Sequence, residues 1–192
     1  MLNQIKQDLQ RLENKEKAKI LSRFFKTGKG QYGEGDIFLG ITVPDQRKVA
    51  KKYLNINIED LSNLLSNKVH EHRLVALLIL VEKYKTANEH NKKDIVNFYL
   101  KNTKYVNNWD LVDLSADKIL GVYLLEKDKS ILYELAKSNN LWERRIAIIS
   151  TFHFIKNNKF EDTLKISEIL LNDRHDLIQK AVGWMLRELG KI

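Results

Sequence analysis

The sequence contains no cysteine and a single proline in 192 residues. Without cysteine there is no disulfide scaffold, no thiolate zinc site, no iron–sulfur cluster and no cysteine nucleophile. Long hydrophobic runs are also lacking. Stretches such as Ala76–Val81 fall far short of the roughly 20 residues a membrane span requires. The opening, MLNQIKQDLQRLENKEK, has no apolar core of the secretory kind, so a cytoplasmic protein is expected. Glycine is scarce outside one segment: Gly28, Gly30, Gly33, Gly35 and Gly40 lie close to Pro44, and only Gly121, Gly183 and Gly190 follow. A strand protein needs turn residues about every ten positions, and this chain does not supply them.

What is present is ordinary for a globular domain: 43% hydrophobic and 30% charged residues, too apolar for a disordered chain. Lys and Arg number 33 against 25 Asp and Glu, a formal charge of +8. That surplus is compatible with a polyanionic partner without establishing one. Apolar residues recur at helical spacing, as in Leu74, Leu77, Leu78, Val81 and Tyr84, in Ile146, Ile149, Phe152 and Ile155, and in Leu177, Ala181, Trp184 and Leu186. Asn and Asp clusters at 107–108, 139–140, 157–158 and 172–173 separate these stretches, and such residues favour caps and turns. The expectation is an all-α chain of about ten helices.

The helices repeat. Arg73, Arg144 and Lys180 are each followed three positions later by Ala76, Ala147 and Gly183, and Trp109 with Val112 fills the missing register. Register points at 73, 109, 144 and 180 are 36, 35 and 36 residues apart. Two helices per period of this length predict a HEAT-like α-solenoid with a concave face, one domain over 1–192. The segment KTGKGQYGEGDIFLG, 26–40, lacks the strand–glycine–helix context and the Lys-Ser/Thr ending of a nucleotide loop. It reads as a flexible connector that, through Lys26, Lys29 and Tyr32, also touches a polyanion. The five histidines form no convincing metal set, since His70 and His72 are two apart and face different ways on a helix.

Position four past each register point is Leu77, Asp113, Ile148 and Trp184. A carboxylate at a position that is aliphatic elsewhere is costly to bury unless it is paired or functional. Trp109 and Asp113 share a helix face, Arg145 follows the next register point, and Trp184 lies one unit further. Stacked units would bring these four together. The plainer alternative is that the tryptophans are packing residues and Asp113 forms a structural ion pair with Arg145, or Arg145 is a solvated charge. Asp110 and Asp117 read as solvent-facing carboxylates.

Four segments make the sequence recognisable: RFFKTGKGQYGEGDIFLGITVPDQR (23–47), NNWDLVD (107–113), LWERRIAI (141–148) and LIQKAVGWMLREL (177–189). Together they resemble the AlkD-like DNA alkylation repair family of HEAT-like-repeat DNA glycosylases. The resemblance implies excision of positively charged alkylpurines, such as N3-methyladenine and N7-methylguanine, from duplex DNA in base-excision repair, acting without flipping the base. It implies no metal, organic cofactor, membrane or obligate protein partner. It places the catalytic carboxylate on Asp113, lesion-facing tryptophans on Trp109 and Trp184, and the key arginine on Arg145. Arg144, Lys180, Lys26 and Arg23 are candidates for phosphate contact. The family usually continues through another helical stretch after the position of Ile192, so this chain reads as a short member or one lacking a C-terminal unit. The alternatives in other functional classes are a non-catalytic HEAT-repeat protein binding distorted or branched DNA, and a protein-binding helical scaffold.

Overall fold

The computed structural model describes residues 1–192 and is all-helical, its only bridge being the isolated Ile37–Val69 pair. It divides into two compact units, Met1–Ala87 and Asn88–Ile192. No helix is long and apolar enough to cross a membrane.

The first unit contains α1 (Leu2–Gln10), α2 (Lys15–Phe24), α3 (Val43–Lys52), α4 (Ile58–Leu65) and α5 (His70–Thr86). Helix α5 is apolar around most of its circumference, and residues His70 to Val81 are all buried. A helix of that kind belongs at a centre, and α1, α3 and α4 pack on it. The 26–40 segment is irregular, but its second half is pinned. Ile37 donates its N–H to Lys68 O at 3.1 Å, and His70 N donates to Ile37 O at 2.8 Å. The buried carboxylate of Glu71 accepts from the amides of Leu39, Gly40 and Ile41 at 2.8–3.3 Å. Gly40 has φ +82°, and a Cβ there would meet Asn14 O at 2.2 Å; both conditions admit only glycine.

The second unit contains α6 (Glu89–Lys101), α7 (Trp109–Asp113), α8 (Val122–Leu124), α9 (Ser130–Ala136), α10 (Leu141–Ile155), α11 (Glu161–Leu170) and α12 (Asp176–Leu189). Here α10 is the central helix, buried from Arg145 to Thr151 and in contact with α7, α9, α11 and α12. The register residues lie at or near the starts of four helices. Arg73 lies in the first turn of α5, Trp109 begins α7, Arg144 lies in the first turn of α10, and Lys180 is the fifth residue of α12. The unit after Trp109 is not one regular helix. Five residues of α7 give way to a turn, then to a π-helical turn at Asp117–Gly121 that leads into α8. Two local causes are visible. Ser115 Oγ donates back to Leu111 O at 2.6 Å, a bond that bends helices. Gly121 lies so close to α10 that a Cβ would be 2.4 Å from Ser150 O.

Candidate active site

Asn108 and Asp110 start α7 by accepting the amides of Trp109 and Leu111, each at 2.8 Å. Leu111 and Val112 are fully buried, which anchors one side of this short helix. Trp109 and Asp113, four apart, are half-buried on a shared face.

Asp113 meets Arg145 in a two-pronged pair. Arg145 Nε donates to Oδ1 at 2.9 Å and Nη2 to Oδ2 at 2.8 Å, while Nη1 donates to Leu177 O at 2.5 Å. The guanidinium thus joins α7, α10 and the start of α12. The Arg145 side chain is 6% exposed and that of Asp113 is 16% exposed. Burial raises the Asp113 pKa above its ordinary 3.8; the hydrogen bonds and charge of Arg145 oppose this only in part, and the charges of Asp110 and Asp117 push it further upward. The ion pair anticipated as the plainer reading is therefore present. Arg145 is not a solvated charge. Three of the five guanidinium N–H groups are engaged, leaving two in reserve.

Asp110 and Asp117 depart from expectation, being buried rather than solvent-facing. For Asp117 the reason lies in the π-helical turn, which carries it inward, where Lys118 Nζ at 2.9 Å and Lys156 Nζ at 3.7 Å balance it. Asp110 turns its carboxylate onto the helix start.

Trp184 is half-buried on α12, with its ring 5.4 Å from that of Phe152 at a tilt of 49°, inside the favourable range for aromatic pairs. Glu188, one turn on, is held below its ordinary pKa mainly by Lys191 and also by a hydrogen bond from the Trp184 side chain. Lys156 Nζ lies 3.7 Å from the centre of the Phe152 ring. The contacts Arg145–Leu177 and Phe152–Trp184 advance by seven residues on both helices. Hence α10 and α12 run in the same direction, and the aromatic pair sits two helical turns below the Asp113–Arg145 pair. Phe152 was visible in the sequence only as one of several apolar positions. Its contact with Trp184 depends on how the two helices are set side by side, which periodicity does not encode.

The remaining predicted residues are placed differently. Arg144 folds back on its own helix start, donating from Nη1 to Ser138 O and Asn139 O at 2.9 and 3.0 Å, and from Nε to Asp173 Oδ2 at 2.6 Å. With Asp173, Arg174 and His175 it lines an open cleft of about 400 Å³ that does not include Asp113. Lys180 is 70% exposed and pairs with Asp176 at 3.0 Å. Arg23 and Lys26 belong to the first unit and are exposed, with Lys26 Nζ 5.8 Å from the Tyr32 ring centre.

The family described as "DNA alkylation repair enzyme" matches residues 5–192 of this chain. Among solved structures, the chain is similar to a predicted DNA alkylation repair enzyme from Enterococcus faecalis. The TM-score is 0.69 at 20% sequence identity, over 93% of this chain and 84% of that one. At that identity the likeness concerns the fold. No curated protein matches the sequence.

Proposed function

The chain belongs to the DNA alkylation repair enzyme family, and from that premise we propose that it is a DNA N-glycosylase that releases cationic N3- and N7-alkylpurines from duplex DNA. The observation that carries this reading is the Asp113 carboxylate. It is mostly withdrawn from water, fixed on both oxygens by Arg145, and one helical turn from the half-buried Trp109.

The chemistry asks little else of the protein. A base with a fixed positive charge departs as a neutral molecule when the C1′–N bond breaks, so no general acid is required. The electron pair leaves with the base and positive charge develops on the sugar. Asp113 stabilises that charge and accepts a hydrogen bond from the attacking water. Water adds to C1′ as hydroxide, and its proton passes through the carboxylate to solvent. The products are an abasic site, a neutral free base and one proton. Asp113 acts as the carboxylate, so its upward-shifted pKa makes it a stronger base than an exposed aspartate while Arg145 keeps it in place.

The faces of Trp109 and Trp184 attract a cationic nucleoside, a contribution of about 0.5–2 kcal/mol each according to desolvation. The two N–H groups that Arg145 retains suit a backbone phosphate. Lys180, Arg144, Lys26 and Arg23 are assigned sequence-independent phosphate contact. Of these, Arg144 is the most committed to internal bonds and Arg23 the least.

The test is release of free N7-methylguanine or N3-methyladenine from methylated duplex, followed by chromatography. The wild-type protein should release both. Asp113→Asn should bind the duplex and release base at least about a hundredfold more slowly. Equal rates would remove Asp113 from the chemistry. Salt-sensitive duplex binding with no release by either protein would favour a non-catalytic DNA-binding role.

A further inference from the structure

Several glycines of this fold have visible reasons. Gly40 is required by its backbone conformation, and Gly121 by its closeness to Ser150 O and His153. Gly183 is different. It lies in the middle of α12, has no positive φ, is exposed, and a Cβ built on it would meet nothing within 4 Å beyond its chain neighbours and its own helix backbone. A mid-helix glycine weakens a helix relative to alanine, so the fold bears a penalty here for which its own packing gives no return.

Its neighbours supply the reason. One turn before Gly183 on the same face is Lys180, and one turn after it is Arg187; their side chains are 70% and 69% exposed. Lys180 pairs with the exposed Asp176 at 3.0 Å, and Arg187 reaches the part-buried Glu188 only at 3.8 Å. Such pairs are weak and are readily exchanged for another anion. At about 1.5 Å rise per residue the two cations are about 10 Å apart along the helix, close to the axial rise of three nucleotides in one DNA strand. Trp184, the next residue, is half-buried and borders the same strip. A bare stretch of helix backbone between two exposed cations, beside an aromatic ring, is a surface that an extended polyanion approaches closely only if no side chain stands in the way.

We propose that Gly183 is the point of closest approach between α12 and the sugar–phosphate backbone of bound DNA, with Lys180 and Arg187 engaging the phosphates on either side. This rests on the DNA-glycosylase reading and goes beyond it by assigning the strand's path over α12. In this arrangement Gly183 is a positioning residue. It touches no reacting atom, but the depth at which the strand settles over it sets how far the lesion sits from Trp184 and from the Asp113–Arg145 pair two turns away along α10.

The decisive property is that stability and binding should move in opposite directions. Gly183→Ala in the full chain should raise the thermal unfolding midpoint by about 2–4 °C, the shift expected when a helix-interior glycine is replaced by alanine in a protein of this size. The same substitution should weaken binding to an unmodified fluorescent duplex about tenfold, equivalent to about 1.4 kcal/mol, and Gly183→Leu should weaken it further. A midpoint that falls with Gly183→Ala would show that the fold itself needs this glycine and would overturn the proposal. So would a midpoint that rises while duplex affinity is retained. Because the binding arm uses undamaged DNA, the two readings fail separately. A wild-type protein that binds duplex but releases no base, with binding still weakened by Gly183→Ala, would sink the glycosylase assignment alone. Normal base release with unchanged binding by Gly183→Ala would sink the Gly183 assignment alone. No duplex binding by the wild type would sink both.

Discussion

Arg73 in the first unit and Arg144 in the second perform the same task. Each folds a guanidinium nitrogen back onto the carbonyls five and six residues earlier, Lys68 and Asn67 in one case, Asn139 and Ser138 in the other. Each then meets an aspartate from a distant part of its own unit, Asp36 at 2.6 Å and Asp173 at 2.6 Å. The difference lies in the next residue. After Arg73 comes Leu74, buried in the core, and after Arg144 comes Arg145, which reaches across to Asp113. At these two register points the basic residue is thus architectural, a clasp that closes the start of a central helix. The cation that pairs with the carboxylate proposed for the chemistry stands one position on, in one unit and not in the other.

The most severe way to break this contrast is to make the second unit resemble the first. Arg145→Leu should leave Asp113 and Leu177 O without their partner and lower the rate of base release about 10²–10³-fold, read by the same chromatographic assay. A rate within a few-fold of wild type would mean that Arg145 is only packing. The clasps come next. Arg73 is 4% exposed and Asp36 6%, so Arg73→Ala should cost about 3–5 kcal/mol of unfolding free energy by leaving the buried carboxylate with His70 as its remaining partner. Arg144 is 18% exposed, and Arg144→Ala should cost less, about 1–3 kcal/mol. Urea unfolding of the full chain measures both. If Arg144→Ala left stability unchanged and reduced only the salt dependence of DNA binding, the shared clasp would be the wrong description.

The smallest effects concern pH, and the two units should show opposite signs. His72, buried with Nδ1 unpartnered, is lowered from 6.5 to about 4, chiefly by burial and then by the charges of Lys6 and Arg73. Its folded value lies below its unfolded one, so the unfolded chain takes up the proton first. The stability this residue contributes is complete above about pH 6.5 and is lost as the pH falls towards 4. Asp113 is shifted upward from 3.8, so the folded chain takes up its proton first and its contribution to stability grows on acidification. Its catalytic contribution is lost in that same window. The acid limb of base release should therefore begin above the range of an ordinary aspartate, and His72→Leu should flatten the pH dependence of unfolding between 4 and 6.5 without moving that limb. A limb that followed His72 instead would place the titration in the wrong unit.

Much of this was legible in the sequence because helices advertise their period. The register at 73, 109, 144 and 180 lies at or near the beginnings of four helices, and the irregular 26–40 segment was evident from its glycines. Asp113 and Arg145 could be paired from the repeat spacing. Two things were hidden. The burial of Asp117 follows from a π-helical turn in a stretch that reads as ordinary helix, because one extra residue in a turn leaves almost no mark on hydrophobic periodicity, and Asp110 is buried with its carboxylate folded onto the amide of Leu111. The internal commitment of Arg144 was hidden because two of its acceptors are backbone carbonyls, which every residue possesses and no sequence pattern displays, and the third, Asp173, lies 29 residues away.

The single guanidinium of Arg145 is shared between a carboxylate and a carbonyl in the first turn of α12. Under the proposed function, a phosphate taking up its two remaining N–H groups would leave the hold on Asp113 intact while spreading one positive charge over two anions, which removes part of the compensation for the carboxylate's burial. The carboxylate would then become more basic once the strand is in place. One cation would so both anchor the polyanion and ready the group proposed to attend the bond to be broken.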